Sequence, residues 1–324
     1  MKMWKCLLTA PLALGLTFAA ANADQYPSKP ITLVVTASPG GVTDVLARTI
    51  GQHMNKDWGQ PVIVENKPGA SNQIGTEFVA KSTPDGYTML VTPEATFVIN
   101  PWIYSKLPYD PEKDFTPVSG LVKIHQSLVT NSSLPVNNLK ELIALAKKEP
   151  GRLNYGTFGI GSTGHLNMEW LQSLTGMKLV AVHYKGAAPA LNDVISNHIQ
   201  MMFLSAGSVR QYYKMGKVKL IAVGSPKRLA GYPEVPTIAE SGYPGFEAVS
   251  WFGLFTPRGT PNDVVEKVNA EVQRAFEDAE FQNKFLKPHM FEPMVGSPKE
   301  FSAYIKSEAQ KWRGVVRKAN LKLN

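Results

Sequence analysis

The chain has 324 residues, 44% hydrophobic and 19% charged, the composition of a globular protein long enough for two domains. Its formal charge is +8, yet the Lys and Arg residues are scattered, Lys147-Lys148 and Lys217/Lys219 being the densest pairs. No basic stripe with interleaved aromatics is present, which argues against a nucleic-acid partner.

The first residues differ from the rest. Lys2 and Lys5 precede the apolar run Leu7–Ala21, and Ala21-Asn22-Ala23 supplies small residues at the spacing of a signal-peptidase site. This predicts a secretory signal peptide over residues 1–23, cleaved after Ala23. The run is shorter than the roughly 20 residues a bilayer-spanning helix needs. Cleavage lowers the formal charge from +8 to +6 and removes Cys6, the one cysteine. The mature chain then has no disulfide, cysteine nucleophile or thiolate metal ligand.

Along the mature chain, β-branched apolar runs alternate with stretches of helical period. Ile31–Thr36 reads as a strand, Asp44–Met54 as a helix, Val62–Glu65 as a strand, Gly75–Ser82 as a helix and Met89–Thr92 as a strand. Leu139–Lys148, Leu166–Leu174, Ala188–Asn197 and Val264–Ala279 have helical spacing. Leu153–Tyr155, Leu179–His183, Ile199–Phe203 and Leu220–Val223 read as short buried strands. The alternation predicts an α/β protein with largely parallel sheets covered on both faces. Lobe crossings are expected near Val118–Lys123 and Tyr243–Ser250. One lobe (24–121 plus 248–324) would take both ends of the mature chain and the other (122–247) its middle, with a hinge of two crossings suited to closure on a ligand.

Two loops carry the candidate chemistry. In Thr36-Ala37-Ser38-Pro39-Gly40-Gly41-Val42-Thr43-Asp44 a strand ends, two glycines turn the backbone, and a helix opens. Free N–H groups and the positive end of a helix dipole form an anion site there; a plain βα turn with an N-cap has the same outline. The second loop, Gly156 to His165, contains a G-x-G-x-x-G at Gly159, Gly161 and Gly164. A dinucleotide reading fails because the next strand runs into Tyr184-Lys185 and not into an acidic residue. The loop still offers backbone N–H groups and the hydroxyls of Ser162 and Thr163. Two such loops, one in each expected lobe, suit an anion held across a cleft. No cofactor is expected. Ser162 lacks a nucleophile elbow, since Ile160 replaces the first glycine, and His165 with Glu169 gives two metal ligands without a third. A secreted hydrolase using Ser162 or His165 is therefore the weaker reading.

These loops and their surroundings resemble the Bug (TctC-type) receptors of tripartite tricarboxylate transporters. The likeness runs from Tyr26-Pro27-Ser28-Lys29-Pro30-Ile31 through Pro39-Gly40-Gly41, Val64-Glu65-Asn66-Lys67-Pro68-Gly69-Ala70 and Pro84-Asp85-Gly86-Tyr87-Thr88. It continues in Leu107-Pro108-Tyr109-Asp110, Asn154-Tyr155-Gly156, Tyr184-Lys185-Gly186, Pro233-Glu234-Val235-Pro236-Thr237 and Ser250-Trp251-Phe252-Gly253. The resemblance implies a two-lobed periplasmic binding protein, a Venus flytrap that delivers an organic acid to a membrane permease. It also implies that the loops matching Ser38–Thr43 and Gly161–His165 hold one carboxylate. A subunit presenting its ligand to a sensor kinase is the rival within binding proteins, and a monomer is expected.

Three departures from the family pattern bear on the ligand. Ala37 stands where relatives often carry an aromatic residue, Phe158 where they carry a small or polar one, and Leu204 near where many place an acid. Together they favour an aromatic dicarboxylate such as terephthalate over an aliphatic diacid. The expected contacts are Ala37, Ser38, Gly40, Gly41, Thr43, Phe158, Gly161, Ser162, Thr163 and His165, with Leu204, Ser205 and Arg210 toward the distal end.

Overall fold

The computed structural model describes residues 26–318. The signal-peptide segment and Cys6 lie outside them. In chain order the elements are β1 (Ile31–Val35), α1 (Val42–Trp58), β2 (Val62–Asn66), α2 (Gln73–Ala80), β3 (Thr88–Pro93), α3 (Ala95–Val98), α4 (Asn100–Ile103) and β4 (Phe115–Asn131). Next come α5 (Leu139–Lys148), β5 (Asn154–Thr157), α6 (Thr163–Thr175), β6 (Val180–His183), α7 (Ala187–Ile195), β7 (Met201–Ser205), α8 (Arg210–Lys214) and β8 (Val218–Val223). The chain closes with β9 (Val249–Pro257), α9 (Asn262–Glu277), α10 (Ala279–Phe281), α11 (Lys287–His289), β10 (Glu292–Pro293) and α12 (Pro298–Lys318).

Local chemistry fixes the helix ends. Gly59, at φ 65°, terminates α1 in the left-handed conformation. Asn138 caps α5 by accepting from the Glu141 N–H, while Glu141 reaches back to the Asn137 N–H at 2.7 Å. Ser162 caps α6, so that helix starts at Thr163, three residues before the apolar period becomes visible at Leu166. Thr163, Gly164 and His165 are thus the first helical turn and not loop.

The strands form one continuous sheet in the order β2-β1-β3-β9-β4-β7-β5-β6, with β8 and β10 also paired to β4. The pairs β1–β2, β1–β3, β5–β6 and β5–β7 are parallel, as the βαβ alternation predicts. β4 and β9, which the periodicity did not reveal, supply the antiparallel pairs at the centre. Both are buried on two faces, so neither shows the polar alternation of a half-exposed strand.

β4 belongs to two strand groups. Its first part pairs with β9 as far as His125↔Val249, and from Gln126↔Ser205 onward it pairs with β7 and β8. At the change of partners, Gln126 N–H donates to Ala248 O (2.9 Å), Gly224 N–H to Gln126 O (2.7 Å) and Ala248 N–H to Gly224 O (2.8 Å). The chain therefore passes between the groups at Gln126 and again at Ala248.

Each group is covered on both faces, as the period of two requires. In the first, Leu33, Val35, Met89 and Val91 pack on α1 and α9, whereas Val34, Leu90 and Phe255 face α12 and its Trp312. In the second, Tyr155, Met201 and Phe203 meet Leu142 of α5 and Met168 and Leu171 of α6. Met202 and Leu204 meet Leu191 and Val194 of α7.

Candidate functional site

The C-terminal ends of the parallel strands β1 and β3 lie on one edge of the first group, and those of β5, β6 and β7 on one edge of the second. Open α/β sheets bind ligands beyond such ends. Thr36, at the end of β1, shares a hydrogen bond with Thr92 of β3 (2.9 Å), and Thr92 with Thr96 (2.7 Å). Two residues beyond Thr92, the Glu94 carboxylate oxygen Oε1 accepts the Thr163 hydroxyl from the first turn of α6. This ladder of short contacts brings the first loop and the second to the same edge.

The first loop is shaped by charges outside it. Gly40, at φ 80°, takes a conformation a side chain resists, and a Cβ there would point into open space. Its N–H donates to Asp44 Oδ2 at 2.9 Å. Arg48 Nε donates to the same oxygen at 3.0 Å, and Asn66 Nδ2 donates to Asp44 Oδ1 (2.9 Å) and to Ala37 O (3.0 Å). Burial alone would raise the Asp44 carboxyl, but the hydrogen bonds from Arg48, Gly40 and Asn66 outweigh it and hold it below its ordinary value. The N-cap of α1 is Gly41, which has no side chain to cap with, so the first-turn N–H groups have no intrahelical acceptor. Ser38 and Gly40 are exposed, Ala37 and Gly41 half-buried, and Thr43 buried. Arg48 and Asn66 are therefore loop-forming residues outside the motif, acting through Asp44 at its end; an acid in a first helical turn is the signal that points to them.

The second loop closes on itself. Gly161 N–H donates to His165 Nδ1 at 3.1 Å, and Ser162 Oγ accepts the His165 N–H at 3.4 Å. Burial, with the nearby His183, depresses His165 to about 4, so at neutral pH it is uncharged and Nδ1 is free to accept. Thr157 Oγ1 meets His183 Nδ1 at 2.8 Å, fixing the other side of the loop. The arrangement gives no activated serine: the Nδ1 of His165 bonds the Gly161 N–H and that of His183 bonds Thr157, and neither ring is hydrogen-bonded to Ser162 Oγ. Glu169 accepts from Tyr155 OH and from Gln172 Nε2, both on Oε1.

The remaining predicted residues sort by position. Phe158 is half-buried, with its ring over Gly164, where a Cβ would lie 2.6 Å from Cε1. Leu204 is 7% exposed and packs in the apolar cluster with Val129, Met202 and Val209. Ser205, half-buried, ends β7 on the same edge as Thr157 and His183, and Arg210 is exposed at the start of α8. Sequence reasoning passed over Glu94, an acid directly behind a strand end and thus legible in principle.

Two other features lie apart from these loops. A groove of about 1190 Å³ runs between Trp102, Tyr109 and Arg258 on one side and Lys306 and Arg313 of α12 on the other; it includes none of the predicted contacts. Among the described residues, His53, Asp57 and Glu271 bring three ligand atoms within 4.8 Å of one another. There His53 Nδ1 sits 3.1 Å from Glu271 Oε1 and Arg274 occupies Oε2, so the buried carboxylate is already neutralised by protein groups.

The sequence model of the tripartite tricarboxylate transporter family receptor matches residues 46–321. The chain belongs to that family, TctC. Its members are binding proteins and not enzymes. The structure of R. palustris Rpa4515 with adipate is 34% identical and aligns over 92% of this chain and 99% of its own, with a TM-score of 0.84. The periplasmic binding protein BugD is 35% identical over 92% of this chain and 99% of its own, with a TM-score of 0.81. MatC (Rpa3494) from Rhodopseudomonas palustris, with bound malate, is 31% identical over 90% and 100%, with a TM-score of 0.79. The TctC chain described here is thus an α/β periplasmic binding protein in fold, and two of these relatives, Rpa4515 and MatC, hold the carboxylates adipate and malate.

Proposed function

We propose that this TctC-family protein is a periplasmic receptor that captures a small dicarboxylate between two lobes and delivers it to a tripartite tricarboxylate transporter permease. The observation that carries the reading is the pair of helix starts, α1 and α6, on one edge of the sheet. Each opens behind a glycine turn, and together they offer first-turn N–H groups and the hydroxyls of Ser38, Thr43 and Ser162. One ligand carboxylate sits on these groups; Ser205 and Arg210 face the distal end. The lobes follow the expected division into 24–121 plus 248–324 and 122–247, except that Val122–His125 pair with β9 and move the first boundary to Gln126. They bend at the two passages beside Gln126 and Ala248. Residues 1–23 direct export and are then cleaved off, with Asp24 as the first residue of the mature chain.

The adipate and malate held by Rpa4515 and MatC support a flexible aliphatic diacid. A second reading rests on Phe158. Its ring is half-buried over Gly164, and a flat acid such as terephthalate would lie against the remaining face, a contact worth about 0.5–1.5 kcal/mol beyond its buried area. Titration of adipate, malate and terephthalate side by side, with turnover checked by recovery of each acid, tests both. Tighter binding of terephthalate selects the aromatic reading; binding of none of the three, or of monocarboxylates alone, defeats the dicarboxylate receptor.

A further inference from the structure

Glu94 is the least accounted-for charge near the loops. It is 1% exposed and makes no ion pair with any described Lys, Arg or His. Its backbone N–H donates to Trp251 O at 2.9 Å and the Trp251 N–H returns to Glu94 Oε2 at 3.1 Å, which fixes the residue to β9. Its other oxygen takes the Thr163 hydroxyl. The side chain thus ties the end of β3 to the first turn of α6, the turn on which the ligand carboxylate would rest. Four residues further along α6, Asn167 Nδ2 donates to Gln126 Oε1 at 3.0 Å, and Gln126 Nε2 donates to Ser250 Oγ at 2.8 Å. Leu166 and Trp170, on the same helical face, pack with Trp251 and α12. One face of α6 is therefore docked on the first strand group, and Glu94 is the docking contact nearest the anion loop.

We propose that Glu94 is a positioning residue of the anion site: protonated, it holds the first turn of α6 in place for a ligand carboxylate, and ionised, it sets a negative charge against that carboxylate. The inference rests on the dicarboxylate reading above. Burial without a cation favours the proton on Glu94, and few groups oppose it. From β9 comes only the Trp251 N–H and from α6 only the Thr163 hydroxyl. From α12 come Tyr304 and Glu308, the latter occupied by Lys311 Nζ (3.3 Å) and Trp312 Nε1 (3.3 Å). From β4, Lys123 sits 4.9 Å over the Tyr304 ring and makes no bond to Glu94. Burial, and secondarily the Glu308 carboxylate, push Glu94 up to about 7 against the hydrogen bonds from Thr163 and Trp251. Glu94 therefore changes charge near neutral pH, a range in which an aliphatic or aromatic diacid is already ionised.

The sign follows from linkage. A ligand carboxylate favours the protonated form, so binding takes up a proton and affinity falls as pH rises through about 7. Calorimetric titration of adipate, malate and terephthalate at pH 6 and pH 8, on the wild type and on Glu94→Gln, measures it. The expected result is about a fivefold loss of affinity between the two pH values for the wild type, if the bound carboxylate raises Glu94 by a further tenfold in proton affinity, and a flat profile for the variant. Gln keeps an acceptor for Trp251 and a partner for Thr163, so the docking survives without the charge. A flat wild-type profile, or a pH dependence retained in Glu94→Gln, overturns the inference. A ligand-free readout separates it from the dicarboxylate reading: the Glu94 carboxyl carbon, followed by NMR, should titrate with a midpoint near 7. A midpoint in the ordinary carboxyl range overturns the inference whichever acid binds. If none of the three diacids binds, the receptor reading fails and the midpoint alone decides the case for Glu94.

Discussion

Replacing Glu94 by Gln has an effect on stability that can be worked out before any ligand is known. The carboxyl moves from an ordinary value of 4.5 to about 7 on folding, so the folded chain holds a proton that the unfolded chain releases between those limits. A raised value means stability is full below pH 4.5 and is lost as pH rises toward 7, after which the cost is constant. At about 1.4 kcal/mol per tenfold in proton affinity, the burden at pH 8 is about 3 kcal/mol. Gln carries no such burden. With an unfolding entropy of about 2.1 cal/mol/K per residue, a chain of this size gains roughly 5 °C from that amount. Glu94→Gln should therefore melt higher than the wild type at pH 8 and within a degree or so of it at pH 5. Scanning calorimetry of the ligand-free protein at the two pH values is the assay. An equal shift at both pH values, or a variant less stable at pH 8, would refute the reasoning, because the charge and not the shape is what differs.

Other substitutions test the packing around the loops. Thr163→Ala removes a hydroxyl donor to the buried Glu94 carboxyl and should cost about 1.5–3 kcal/mol in urea unfolding at pH 8, where the acceptor is charged, and less at pH 5. Gly41→Ala should fold nearly normally, since φ is −75° and a Cβ would meet Ser38 O at an ordinary 3.4 Å; the expected cost is below about 1 kcal/mol. Its dicarboxylate affinity, measured by calorimetry, should nonetheless drop if the backbone of that turn approaches the ligand, and wild-type affinity would remove the turn from the site. Gly253→Ala tests the packing of β9 against α12, opposite Thr92 of β3. Its Cβ would fall 2.4 Å from Phe301 Cζ and 2.9 Å from Phe255 Cε2, and an overpacked strand interior should cost about 1–3 kcal/mol in the same unfolding assay.

Much of the architecture was legible because its signals are local. The continuous apolar run Leu33-Val34-Val35, the Asn138–Glu141 box before α5 and the glycine behind α1 each depend on a few adjacent residues, and the sequence displays them directly. The parallel βαβ units follow from alternation alone, and both candidate loops from glycines placed between a strand and a helix. The recognition of the family drew on the same short motifs.

What the sequence by itself determined, then, is which segments are strands and helices in each βαβ unit, and where backbone N–H groups are left free. Only the tertiary structure decided that β4 and β9 run antiparallel through the middle, because Pro117 and Gly120 in β4 and Gly253 in β9 interrupt the continuous apolar run that announces β1. Only the tertiary structure separated Phe158, half-buried over Gly164, from Leu204, which is almost wholly inside an apolar cluster. And Glu94 meets Thr163 across 69 residues of chain, a contact that no local pattern encodes. Its burial removes water from a carboxyl that, in an unfolded chain, is an ordinary surface acid, and that change of solvent gives the residue its unusual proton affinity.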